Sequence, residues 1–181
     1  MGQRWHKPTG EVVEAAAAKS IRACTDRDEA QILEIINEAA NAYRGVIPAD
    51  RWHEPYMSHD ELARERLSNV SFIGMEMNER LVGVMGIQPV GDSDLIRHAY
   101  VHPAYQRHGV GGALIRHLLA SAHRQILVGT WADAQWAISF YQRHGFVLAD
   151  RTRTRDLLRT YWQIPERQME VSVVLIRHPS G

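Results

Sequence analysis

Three groups of residues in this sequence have types and spacing that could do chemistry. The densest is Gln106-Arg107-His108-Gly109-Val110-Gly111-Gly112-Ala113. It opens a stretch in which Val110, Leu114, Leu118 and Ala122, with Ile115 and Leu119, recur at helical spacing. The spacing predicts a helix whose first turn is nearly bare backbone. The first amides of a helix have no partner inside it, and with the macrodipole they form an anion site. Glycine at 109, 111 and 112 lets a phosphate approach the backbone closely. Gln106 and Arg107 can add side-chain donors. Each of these glycines costs a helix about 1 kcal/mol relative to alanine, which favours a backbone kept for a ligand over a plain helix start. A nucleoside triphosphate would want G-x-x-x-x-G-K-[ST], and no Lys-Ser/Thr follows here. A dinucleotide would want a third glycine where Leu114 stands.

The second group is Tyr141 in Ala137-Ile138-Ser139-Phe140-Tyr141-Gln142-Arg143-His144-Gly145-Phe146. Its phenol, of pKa about 10, could serve as a proton donor at neutral pH, although the same tyrosine also suits an apolar helix face beside Ala137. The third group offers two candidate bases, His98 and Glu76. Imidazole suits base catalysis at neutral pH. With regular strand alternation His98 shares a face with Ile96 and Tyr100, and Arg97 points the other way. The residues alone favour a packed His98 and a surface Glu76. Trp52, His53, Glu54 and Tyr56 offer aromatic walls and one carboxylate for a cationic ligand. Arg151, Arg153, Arg155, Arg159 and Arg167 could draw an anionic one, offset by Asp150, Asp156 and Glu166.

The elements that must position these groups follow from period and punctuation. Ser20–Thr25 reads as a strand. Thr25 and Asp28 look like a helix start for an apolar face of Ile32, Leu33, Ile35, Ile36, Ala39, Ala40 and Tyr43, stopped at Gly45. Residues 45–57, with Pro48 and Pro55, read as a long ligand-type loop. Ser58-His59-Asp60-Glu61 is a capping box for a helix to about Leu67. Val70–Met77 and Arg80–Pro89 form a hairpin about Asn78-Glu79; Gly91-Asp92-Ser93-Asp94 turns into a strand over Leu95–Val101. After the glycine-rich helix come a strand at Ile126–Thr130, a helix over Asp133–His144 ended by Gly145, and a short strand at Phe146–Leu148. A mixed, arginine-rich excursion over Arg151–Gln168 leads to a last strand over Met169–Arg177. The order β-α-α-β-β-β-α-β-α-β-β predicts an α/β mixed sheet with helices on both faces.

The 181 residues fit one domain, taken as residues 20–178, with 1–19 as a loosely attached arm. Zero formal net charge argues against a broad field for nucleic acid or a membrane surface. No apolar run is long enough to span a bilayer. The single cysteine, Cys24, allows no internal disulfide, reads as a buried structural residue and favours a reducing, cytoplasmic setting. The ten histidines lack metal-site spacing, so no metal is expected.

Val101-His102-Pro103-Ala104-Tyr105-Gln106-Arg107-His108-Gly109-Val110-Gly111-Gly112-Ala113-Leu114 resembles the acetyl-CoA motif of the GNAT superfamily, Q/R-x-x-G-x-G/A after a V-x-P strand end. Ala137–Phe146 is similar to that family's A-I-x-x-Y-x-x-x-G-F segment. The resemblance implies the GNAT fold, with a mostly antiparallel sheet of about seven strands. It implies acetyl-CoA as cosubstrate, its pyrophosphate on the amides of Gln106, Arg107, His108, Gly109, Val110, Gly111 and Gly112 and its pantetheine along the backbone of Tyr100 and Val101. It implies Tyr141 as the acid, and direct attack by an amine of a small molecule or peptide without a covalent enzyme intermediate. One departure is Ala134, where the family often has an Asn that helps hold the cofactor. A lysine-type amine costs about 4.6 kcal/mol to deprotonate at pH 7, an α-amine only about 1–1.4, so alkylamine acceptors need a base more. The Tyr-Arg-Gly-Val-Ile-Pro and His-Glu-Pro-Tyr-Met stretches look like those of small prokaryotic GNAT proteins, a likeness that assigns no substrate. The competing readings are an acyl-CoA-binding module without catalysis and an unrelated nucleotide-binding protein. A homodimer is compatible with any of them.

Overall fold

The structure is a computed structural model and describes residues 19–162 and 164–179. Of the arm expected at 1–19, only Lys19 falls within them, as the first residue of β1 (Lys19–Ala23). Thr25 and Asp28 form the expected reciprocal cap, the Thr25 amide donating to Asp28 Oδ2 at 2.7 Å. The cap first closes a 3-10 turn and then α1 (Glu29–Ala40), whose Ile32, Leu33, Ile35 and Ile36 are buried. The capping box at Ser58 forms as expected: the Ser58 amide donates to Glu61 Oε2 at 2.8 Å and opens α2 (His59–Leu67).

β2 (Ser71–Met77) and β3 (Arg80–Val90) turn at Asn78 and Glu79, both at positive φ, as a tight right-twisted hairpin requires. The next turn is tighter than the sequence suggests. β4 (Ser93–Val101) begins two residues earlier than expected, because Gly91 at φ +56 reverses the chain. α3 (Val110–Ala120), β5 (Gln125–Trp131), α4 (Gln135–Arg143) and β6 (Val147–Leu148) follow. Gly145, at φ +81, ends α4 as the sequence indicates.

The excursion over 151–168 is mostly helix. In α5 (Arg151–Tyr161), Asp150 caps the start by accepting from the Arg153 amide at 2.8 Å. Thr154, Leu157, Leu158 and Tyr161 fall at helical spacing and face the sheet, a stripe masked in sequence by the arginines between them. α6 (Glu166–Glu170) takes up the first residues assigned to the last strand, so β7 runs only over Ser172–Arg177.

The seven strands form one sheet in the order β1-β2-β3-β4-β5-β7-β6, antiparallel except for the β4–β5 pair. Alternation sends sequence neighbours to opposite faces. Val82, Ile96, Val128 and Leu175 pack with α3 and α4 on one side. Leu81 and Val84 pack with α1 and α2 on the other, where Leu95, Leu127 and Val174 meet α5. Among the described residues no helix is long and apolar enough to cross a membrane.

Two irregularities in this sheet make the site. The parallel pairing of β4 with β5 covers only Ser93–Ile96 against Gln125–Val128. Beyond it β4 continues along β3 to Val101 while β5 continues along β7 to Trp131, so the sheet splits. In addition, Val84 pairs with Tyr100 and Gly86 with Arg97, so the single residue Met85 faces two, His98 and Ala99. This is a β-bulge, and His98 holds its left-handed position at φ +48. Gly86 makes room for it: a Cβ there would lie 2.8 Å from the Arg97 carbonyl oxygen.

Candidate active site

The glycine-rich turn has the predicted form. Arg107 and Gly109 are left-handed, at φ +63 and +78, and bring the chain sharply into α3. The first bond across the start of α3 is Ala113 N–H to the Gly109 carbonyl, at 2.9 Å, so the amides of Val110, Gly111 and Gly112 precede the helical ladder. Arg107, His108 and Gly109 are exposed around them. This cradle fits a phosphate-bearing ligand. The Gln106 side-chain amide donates to the Val101 carbonyl at 3.1 Å, tying the turn to the end of β4. Gly83 lets α3 settle onto the sheet, since a Cβ there would lie 2.7 Å from Val110 Cγ1.

At the split, on the face opposite α3, lies a cleft of about 230 Å³. Tyr43, Tyr56, His98, Tyr100, Thr130 and Trp162 contribute to its lining. Tyr43 reaches across the split. Its ring centroid is 6.3 Å from that of Tyr100 and 5.2 Å from that of Trp136, which α4 carries on the other side. Burial, and then the Tyr56 and Tyr43 phenols, push the Tyr100 hydroxyl well above the usual range. Tyr141 is buried against Phe140 and Phe146 in the α3–α4 core. Burial, and then Tyr43, raise its phenol above the ordinary range, so it is a protonated hydrogen-bond donor across neutral pH.

His98 lines the cleft, but its surroundings differ from those a regular strand would give. The bulge turns Arg97 and His98 to the same side, toward α2, while Ile96 packs with α3; the expected pairing of His98 with Ile96 therefore fails and that with Tyr100 holds. Both side chains meet Glu65 of α2. Arg97 Nη2 donates to Glu65 Oε1 at 3.0 Å, and His98 Nε2 lies 3.2 Å from Oε2. That second approach is close without the alignment of a hydrogen bond, which leaves Nε2 buried and otherwise unpartnered. Burial pushes the Glu65 carboxyl up, but the His98 contact and the charges of His98, Arg97 and Arg64 outweigh it and hold the group below its ordinary range.

Glu76, the other candidate base, is not brought to the cleft. It pairs with Arg22 at 2.8 Å, and Arg22 also holds Asp28 at 2.8 Å. Of the loop residues expected to meet an acceptor, Tyr56 lines the cleft. Trp52 instead borders a neighbouring cavity of about 480 Å³ with Arg44 and Asp133. Glu54 is engaged by Arg44 and by the Trp52 indole N–H, and so is not a free carboxylate for a cation. His53 faces the Pro55 carbonyl at 2.8 Å and Glu61 at 3.6 Å. Burial, with Asp28 adding, pushes the Cys24 thiol up to about 11, as suits an inert packed cysteine.

Glu65, Tyr43 and Trp162 were not singled out by sequence reasoning. A signal for the bulge was present: two polar residues in a row, Arg97-His98, inside an apolar strand, opposite a strand glycine.

Comparison with known proteins adds to this geometry. Residues 68–148 match the family model described as an acetyltransferase (GNAT) domain. No curated protein matches the sequence. The fold resembles the ribosomal-protein-S18-alanine N-acetyltransferase of Escherichia coli, at TM-score 0.65 and 18% identity over 91% of this chain and 96% of that one. It resembles the PaiA N-acetyltransferase of Thermoplasma acidophilum in complex with coenzyme A, at TM-score 0.66 and 16% identity over 89% and 99%. A third is yncA of Salmonella typhimurium with its cofactor acetyl-CoA, at TM-score 0.62 and 19% identity over 90% and 95%. At such identities these likenesses speak for the fold.

Proposed function

We propose that this chain, which carries a GNAT acetyltransferase domain, transfers an acetyl group from acetyl-CoA to a primary amine by direct attack. The observation that carries the reading is the split between β4 and β5: the open amides at the start of α3 lie on one face and the His98 cleft on the other. In this reading Val110, Gly111 and Gly112 hold the pyrophosphate with Arg107 and His108 beside them, and the end of β4 at Tyr100 and Val101 guides the pantetheine into the split. The acceptor enters from the opposite face, past Tyr43 and Tyr56. His98 takes the proton of the attacking amine, and Tyr141 donates to the sulfur as the carbon–sulfur bond breaks. Cys24 takes no part.

The test begins with ligand binding. A ligand at 100 times its Kd adds about 2.7 kcal/mol of stability, so acetyl-CoA should raise Tm clearly while ATP and NAD do not. Stabilisation by ATP or NAD alone would refute the proposal. Free CoA release across a panel of primary amines then separates catalysis from binding: retention of acetyl-CoA with no turnover on any amine would favour an acyl-CoA-binding module.

A further inference from the structure

The left-handed bulge at His98 presents an oddity. A polar ring is held in a backbone conformation that ordinarily suits glycine, and one of its nitrogens is buried against a carboxylate from a different element. The ring is fixed from two directions. Phe72 stacks on it, with centroids 6.1 Å apart and planes 25° from parallel, and Glu65 stands at its Nε2 edge. Arg97, its neighbour in sequence, holds the other oxygen of the same carboxylate at 3.0 Å, which fixes Glu65 in turn. Tyr100 follows on the same face of β4, and Tyr56 closes the cleft above it.

The two neutral tautomers of the ring are not equivalent here. With the proton on Nε2, an N–H faces Glu65 Oε2 at 3.2 Å, a favourable charge–dipole contact. With the proton on Nδ1, a nitrogen lone pair faces the carboxylate at that distance in a place that water does not reach, which is repulsive. Since Nε2 is buried and His98 nonetheless lines the cleft, the edge of the ring that meets the cleft is not the Nε2 edge.

We infer that Glu65 is a positioning residue that keeps the His98 proton on Nε2 and so leaves Nδ1 as the basic nitrogen offered to the cleft. The purpose of this arrangement rests on the acetyl-transfer reading; the arrangement itself does not. In the transfer, the amine nitrogen bonds to the acetyl carbonyl carbon and its proton passes to Nδ1. The carbon–sulfur bond breaks and the sulfur takes the Tyr141 proton. The imidazolium, held beside Glu65 until then, returns its proton through solvent to the tyrosinate, and both groups are restored.

The tautomer is read directly by two-bond proton–nitrogen correlation NMR on the full chain labelled with 15N-histidine, at about pH 9, where imidazole is ordinarily neutral. His98→Gln assigns the signal. The same protein unfolded in urea supplies the unbiased reference. The expected result is a ratio of Nε2–H to Nδ1–H at least tenfold higher in the folded protein than in the unfolded one, falling back toward the reference in Glu65→Ala and Glu65→Gln and kept in Glu65→Asp. A folded ratio equal to or below the reference, or a bias that survives in Glu65→Ala and Glu65→Gln, overturns the inference. If the variants do not fold, the comparison of folded with unfolded wild type decides by itself. On any amine that turns over, Glu65→Gln should lower kcat at least tenfold and leave the KM for acetyl-CoA within about twofold. Calorimetric titration of acetyl-CoA into the wild type tests the functional reading separately: no binding there would sink acetyl transfer and leave the tautomer result standing.

Discussion

Replacing His98 by glycine should leave the protein more stable than replacing it by alanine, the reverse of what an ordinary strand position gives. Inside a regular element glycine is worse than alanine by roughly 0.5–1 kcal/mol, because it loses more backbone entropy on folding. At φ +48 the balance changes, since an L-residue with a Cβ costs about 1–2 kcal/mol in the left-handed region and glycine costs nothing there. Both variants lose the same contacts, the Phe72 stack and the approach to Glu65, so those losses cancel in the comparison. The difference that remains puts His98→Ala below His98→Gly by up to about 1.5 kcal/mol, with about 0.75 kcal/mol at the centre of the range. In a chain of this size that separates the two melting temperatures by about 2 °C. Urea titrations of both proteins, with matching m-values to show equal unfolding, measure it. Acetyl transfer should be lost equally in both, so that stability and activity do not follow each other. His98→Ala as stable as His98→Gly, or more so, would mean that the bulge is not left-handed. The reasoning that turns Arg97 and His98 together toward Glu65 would fall with it.

Other expectations follow from the same geometry. Tyr141→Phe should lower transfer by about 10²-fold with little change in acetyl-CoA affinity; a transfer rate like that of the wild type would remove Tyr141 as the acid. Gly112→Asp places a carboxylate in the first turn of α3, so it should raise stability by about 0.3–1 kcal/mol while weakening acetyl-CoA binding at least tenfold by calorimetry; equal affinity would place the anion elsewhere. The Arg22 guanidinium holds the buried Asp28 carboxyl below the usual carboxylate range, so its contribution is full above the unfolded value near pH 4 and is lost as pH falls through the folded value. Arg22→Met should therefore be less stable by about 1–3 kcal/mol at neutral pH, with the gap narrowing as the pH of the unfolding series is lowered; a gap independent of pH would refute the assignment.

The parts of this molecule legible in sequence are those set by local chemistry. The Ser58–Glu61 box, the Asn78–Glu79 turn, Gly145 and the glycine-rich start of α3 each rest on a few neighbouring residues, and each forms as the sequence indicates. The helix α5 was legible in principle, since Thr154, Leu157, Leu158 and Tyr161 keep helical spacing, but the arginines around them hide an apolar stripe only one side chain wide. The candidate site was legible only in halves. Its phosphate cradle is one segment. The cleft beside it, the proposed acceptor side, is assembled from Tyr43 after α1, Tyr56 in a loop, His98 on β4 and Trp162 after α5, residues that only the split sheet brings together. Alternation, the rule that reads a strand from sequence, fails at His98 because a bulge is a relation between two strands, and it needed Gly86 on β3 as much as His98 on β4. Once alternation fails there, Glu65 becomes reachable, while Glu76, the other candidate base in the sequence, stays in its pair with Arg22. The carboxylate beside His98 thus comes from a helix thirty-odd residues upstream, and the residue that admits it is a glycine with no chemistry of its own.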